Sequence, residues 1–118
     1  MLAKNSETDY NEDDVEELEE KLQEIKNQEG IIGYILRSKK SASIDLKDPT
    51  KMIDYALLSS TTFDVSQNMT ESFQMGEVTT IVMESEETKI LSMNIDNHRL
   101  SLFMKKHVNH DKLCKKLK

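Results

Sequence analysis

The side chains best placed for chemistry in this 118-residue chain are His107, His110, Asp111 and Cys114. Spacings of three and four can bring such groups to one side of a helix, and imidazole with thiolate is a zinc-binding combination. His107, however, precedes Asn109, a residue type that caps helices, so it falls off that helix. His98 is the only other soft ligand, whereas structural zinc takes four. The expectation is therefore no metal, with Cys114 acting as a small apolar residue beside Leu113 or Leu117. Gly30, Gly33 and Gly76 are too widely spaced to build a phosphate-cradling loop. No serine stands in a nucleophile-elbow context. No catalytic constellation stands out, and no cofactor is expected.

Length and composition set the frame. A chain of 118 residues is large enough for one domain with its own core. A lone cysteine cannot close an intramolecular disulfide and suits a reducing compartment. The first ten residues lack an apolar stretch of signal-peptide type, and Ile31 to Leu36 is far too short to span a bilayer. A cytoplasmic location without membrane insertion is expected. Residues 1–30 hold eleven acids against three bases, a net −8, and the remainder is net +2. Net acidity argues against nucleic acid as a partner, since phosphates demand a basic surface.

The elements follow from periodicity. Residues 1–10 read as a mobile acidic tail, and 11–118 as the folded domain. From Asn11 to Gln28, Val15, Leu18, Leu22 and Ile25 repeat at three and four, an amphipathic helix too short for a coiled coil. Its acids crowd the first turns, where the helix dipole favours them, and read as a solvated face more than as a second docking surface. Next comes a strand over IIGYILRS, with Ile31, Gly33 and Ile35 on one face and Ile32, Tyr34 and Leu36 on the other. A turn at Lys39-Lys40 leads to the short strand SASIDL. After a long helix, three strands, EVTTIVMES, TKILSMNI and HRLSLFMKK, are joined by tight-turn residues at Glu86-Glu87 and Asp96-Asn97. VNHDKLCKKLK closes the chain as a helix, with Asn109 as cap and Val108 placed to staple against Leu113.

The long helix organises the rest. Asp48 can cap it, Pro49 suits its first turn, and Gly76 can end it in the left-handed conformation. At about 100° per residue, Tyr55, Leu58, Thr62, Val65, Met69 and Phe73 form one stripe. Beside it run Met52, Ala56, Ser59, Phe63, Ser66 and Thr70, whose small members would admit another backbone. Ile53 and Leu57 add a third apolar pair. One apolar face suffices for packing on a sheet, so the surplus indicates a second contact; deep burial within a monomer is the plainer alternative. The Ser59-Ser60-Thr61-Thr62 cluster lowers helix propensity and marks a place for a kink.

The strand from Val78 to Met83 has no proline, glycine or internal charge. It falls at the sheet edge if the last strand returns beside the first hairpin, and such a bare edge invites another strand. Covering by the chain itself is one solution. Symmetric pairing with a second copy is the favoured one, and it would bring the two long helices together. Met52, Ala56, Ser59, Phe63, Val78, Thr80 and Val82 are accordingly the expected dimer interface.

The order helix, two strands, helix, three strands, helix resembles the roadblock / dynein light chain family over about residues 12–118. LEEKLQEIKNQEGIIGYILRS, the helix ending in MGEVTTIVM, and the meander ILSMNI and LSLFMKK carry the likeness. The family often has an Asp-Gly type turn between its first two strands; here it is Ser38-Lys39-Lys40-Ser41. The resemblance implies an α+β, profilin-like domain with a five-stranded antiparallel sheet in the order 2-1-5-4-3 and helices on both faces. It also implies a non-enzymatic homodimer, or a heterodimer with a paralogue, serving as a platform for a small Ras-like GTPase and altering its nucleotide cycle. Ile53, Leu57 and Ser60 would offer the GTPase a shallow groove. Arg37 and Arg99 are given no finger role, because both fall on or beside strands. An adaptor subunit with no effect on hydrolysis, and a small-molecule sensor, are the other readings.

Overall fold

A computed structural model describes residues 12–76 and 78–117. The expected tail, the Asn11 cap and Glu77 lie outside the described residues. Helix α1 (Glu12–Lys26) leads into β1 (Ile31–Arg37) and β2 (Ala42–Leu46). A 3-10 turn (Pro49–Lys51) opens directly into α2 (Met52–Phe73), followed by β3 (Thr80–Glu84), β4 (Thr88–Ile95), β5 (His98–Lys105) and α3 (His110–Leu117). The five strands form one antiparallel sheet in the order β2-β1-β5-β4-β3, as the sequence leads one to expect.

Alternation divides the sheet into two faces. Leu91 and Met93 of β4 with Leu100, Leu102 and Met104 of β5 meet Leu18, Leu22 and Ile25 of α1 and Leu113 and Leu117 of α3. On the opposite face, Ile35, Ile90 and Phe103 gather Ile32, Ile44, Leu46, Tyr55 and Ala56 beneath α2. The β4–β5 hairpin turns through Asp96 (φ 46°) and Asn97 (φ 66°), the left-handed pair that matches strand twist. Asn109 Oδ1 accepts from the amides of Asp111 and Lys112, capping α3 as expected.

Strand β1 departs from strict alternation. Its pairing with β5 slips between Ile31 and Gly33, so Ile31 joins Tyr34 and Leu36 on the α1 side while Ile32 joins Ile35 under α2. The expected grouping of Ile31 with Ile35, and of Ile32 with Tyr34, is corrected by this bulge. A Cβ at Gly33 would lie 2.4 Å from the Asp45 carbonyl oxygen and 2.7 Å from Leu46 Cα, so the approach of β2 requires glycine there.

Helix α2 runs unbroken through residues 59–62. Thr61 Oγ1 donates to the Leu57 carbonyl (2.9 Å) and Thr62 Oγ1 to that of Leu58 (2.8 Å), which keeps these hydroxyls inside the helix. It ends two residues before Gly76: Gln74 takes the left-handed conformation (φ 52°), and the amides of Gln74 and Met75 both reach the Thr70 carbonyl.

Candidate functional site

Helix α2 spans roughly 33 Å and lies along β5. The Tyr55 and Phe103 rings meet at a 41° tilt with centroids 4.5 Å apart, Ser59 Oγ lies 2.6 Å from Ser101 Oγ, and the Arg99 guanidinium stands 5.1 Å over the Phe63 ring. These three contacts, one turn apart, fix which side of the helix faces the sheet. Ser59, Thr62, Phe63 and Thr70 are buried; Tyr55, Ala56 and Ser66 are half-buried.

The buried side of α2 is therefore largely hydroxylated, and each hydroxyl has a local partner. Thr62 donates to Leu58, Ser66 to the Phe63 carbonyl and Thr70 to the Gln67 carbonyl, while Ser59, Ser101 and Ser92 form a chain with the last step at 3.3 Å. Burial then costs little, because no donor is left open. Apart from Tyr55, Ala56 and Phe63, the apolar residues of the helix turn outward. Ile53 is 81% exposed, Leu57 67%, Val65 51%, Met69 55% and Phe73 72%.

Two exposed apolar flanks result. Thr62 Oγ1 lies 3.3 Å from Met83 Sδ, which places the Thr62 side of the helix toward β3. Leu58, Val65 and Met69 share that side by helical spacing. Ile53 and Leu57 lie on the other flank, toward β1 and β2. Ser60 is half-buried beside them.

Among the described residues, strand β3 pairs only with β4. Asn94 N donates to the Thr79 carbonyl and Ser85 N to that of Thr88, so odd-numbered residues turn their backbone toward β4. By alternation, Thr80, Val82 and Glu84 turn theirs away from the sheet. Val82 and Met83 are both exposed: Met83, opposite Ile90, is on the α2 face and continues the Leu58–Val65–Met69 flank, while Val82, opposite Leu91, is on the α1 face.

The residues expected to meet a second chain divide accordingly. Met52 is exposed at the helix start, but Ala56, Ser59 and Phe63 pack down on the chain's own sheet. Those three residues face the chain's own sheet, and Leu58, Val65 and Met69 are the apolar residues of α2 exposed on the side toward β3. Thr80 and Val82 lie on the edge strand, with Thr80 Oγ1 buried and without a hydrogen-bond partner among the described residues. Val78 precedes the strand, its carbonyl accepting from Asn94 Nδ2 at 3.1 Å.

The groups weighed for metal chemistry are placed apart. His107 sits in the turn before α3, Lys89 Nζ donates to His110 Nδ1 at 3.0 Å, and Cys114 packs against the α1-side core. Among the described residues, no three His, Cys, Asp or Glu side chains converge. No helix among them is long and apolar enough to cross a membrane.

On the α1 face, Gln23 Nε2 donates to Tyr34 OH (2.8 Å) and Asp45 Oδ2 (2.7 Å), and Lys26 pairs with Asp45 Oδ1. The bond from Lys26 holds the Asp45 carboxyl below its ordinary pKa, with Gln23 assisting. Burial pushes the Tyr34 phenol up. This cluster ties α1 to β1 and β2. A cleft of about 280 Å³ beside Phe63, Thr70, Asn94 and Arg99 is walled mainly by polar groups, unlike the apolar lining usual in small-molecule sites.

No family model and no curated protein matches the sequence. Among solved structures, a Roadblock/LC7 domain from Streptomyces avermitilis shares the fold with a TM-score of 0.65 and 16% identity, covering 84% of this chain and 83% of that one. The likeness is one of architecture: the chain has the roadblock fold.

Proposed function

We propose that the protein is a non-enzymatic, dimeric platform that binds a small Ras-like GTPase and modulates its nucleotide cycle. The observation that carries this reading is the inverted pattern of α2, which buries Ser59, Thr62 and Thr70 while exposing Ile53, Leu57, Val65 and Met69. Exposed apolar area of this kind is stabilised by a partner.

The flank formed by Leu58, Val65, Met69 and Met83, with the open backbone edge of β3 beside it, suits a second copy of the chain or a paralogous subunit. Antiparallel pairing of two β3 edges satisfies the outward backbone of Thr80, Val82 and Glu84 and sets two α2 helices side by side. Ile53, Leu57 and Ser60 of each helix then remain open for the GTPase. The roadblock resemblance supports that class of partner.

The mechanism is conformational. If the groove fits one nucleotide state of the switch region better than the other, differential affinity shifts the cycle without a side chain entering the nucleotide site. Purified protein as bait, presented with cell lysate in a GTP analogue and in GDP, should capture a small GTPase in one state, and Ile53→Arg should lose it. Hydrolysis rates with and without the protein then separate a regulator from an adaptor. Capture that ignores both the nucleotide and the Ile53 substitution would overturn the reading.

A further inference from the structure

Six of the seven methionines lie among the described residues, and they fall into two groups. Met93 and Met104 are buried in the α1-side core, whereas Met52, Met69, Met75 and Met83 are exposed. All four exposed thioethers belong to α2, the segment following it, or β3. Met69 is central to the flank shared with Leu58 and Val65. Met83 sits on the β3 edge with its Sδ against the Thr62 hydroxyl.

We propose that Met69 and Met83 are reversible oxidation sites, and that a hydroperoxide acting on them dissociates the dimer. This rests on the dimeric reading above. In each event the sulfur lone pair attacks the terminal oxygen of the hydroperoxide ROOH, an S–O bond forms as the O–O bond breaks, and the proton on the attacked oxygen passes to the departing one, which leaves as ROH, or as water where the oxidant is hydrogen peroxide. Sulfur loses two electrons and the peroxide gains them. The product is a polar sulfoxide where the interface needs an apolar group. Met93 and Met104, shielded from solvent, serve as internal references in the same chain.

The surface also meets the requirement for reversal. Methionine sulfoxide reductases act on exposed sulfoxides, one enzyme for each epimer, and dissociated subunits present Met69 and Met83 to them. Association would then follow the peroxide level of the surroundings.

The test treats the full-length protein with hydrogen peroxide, reads oxygen gain at each methionine by peptide mass spectrometry, and measures association by sedimentation equilibrium. Met69 and Met83 should oxidise well before Met93 and Met104, and more slowly at protein concentrations that favour the dimer. Association should weaken by roughly tenfold or more and recover with the two reductases. A Met69→Leu, Met83→Leu variant, which keeps apolar volume, should still associate and should ignore peroxide. Simultaneous oxidation of all methionines, an oxidised wild type that associates as before, or an equally sensitive double variant would each overturn the proposal. An untreated wild type that is monomeric at every concentration would instead overturn the dimeric reading, and this proposal with it.

Discussion

Ser59 Oγ, on the underside of α2, lies 2.6 Å from Ser101 Oγ in β5, and both residues are buried. This contact sets the rotation of α2 on the sheet, and so decides which residues remain at the surface. Replacing Ser59 with leucine forces a larger group between helix and strand and should cost about 1–3 kcal/mol. Single changes of Ser59 or Ser101 to alanine leave a buried hydroxyl short of a partner, so the double change should cost less than the two summed. Urea denaturation of the wild type and these four variants measures both effects.

Gly33 supports the sheet in a different way. With a Cβ only 2.4 Å from the Asp45 carbonyl oxygen, Gly33→Ala pushes β2 away from β1. A loss of about 3 kcal/mol or more is expected, in the range of backbone strain at a special position. An unfolding midpoint equal to that of wild type would refute the close approach of β1 and β2.

Acid stability should depend on Asp45. Its carboxyl is held below the ordinary 3.8, first by the Lys26 bond and then by Gln23. The native state therefore binds the proton less readily than the unfolded chain does. The resulting stability is fully present above pH 3.8 and is lost as pH falls through the lower folded value. Asp45→Asn should flatten this part of the pH profile, as followed by urea midpoints between about pH 5 and pH 2. A profile as steep as that of wild type would assign the acid limb to other groups.

The fold was legible where pattern and turn chemistry agree. In β4 and β5, alternation is clean and Asp96-Asn97 supplies the left-handed turn, so the hairpin was expected at the right residues. In β1 both faces are apolar, and a period of two cannot reveal a slipped register; the bulge at Ile31 and Gly33 was invisible for that reason. The rotation of α2 was hidden by the reverse problem. A stripe containing Ser59, Ser66 and Thr70 looks like a surface, yet their hydroxyls are satisfied within the helix or by Ser101, so it is the stripe that goes under. Ile53 and Leu57, assigned from the resemblance as docking residues, do lie exposed on α2.

The central claim is that the Val65 flank of α2 and the β3 edge receive a second copy of the chain. Sedimentation equilibrium of the wild type beside Val65→Arg tests it most directly, because Val65 is half exposed and an arginine there leaves the core intact. The wild type should sediment at twice the 13.6 kDa chain mass, and the variant at the single-chain mass with an unchanged far-UV circular dichroism spectrum and an unfolding midpoint lowered by the loss of its partner. A wild type that stays at the single-chain mass across all concentrations, or a variant that dimerises as strongly as the wild type, would contradict it.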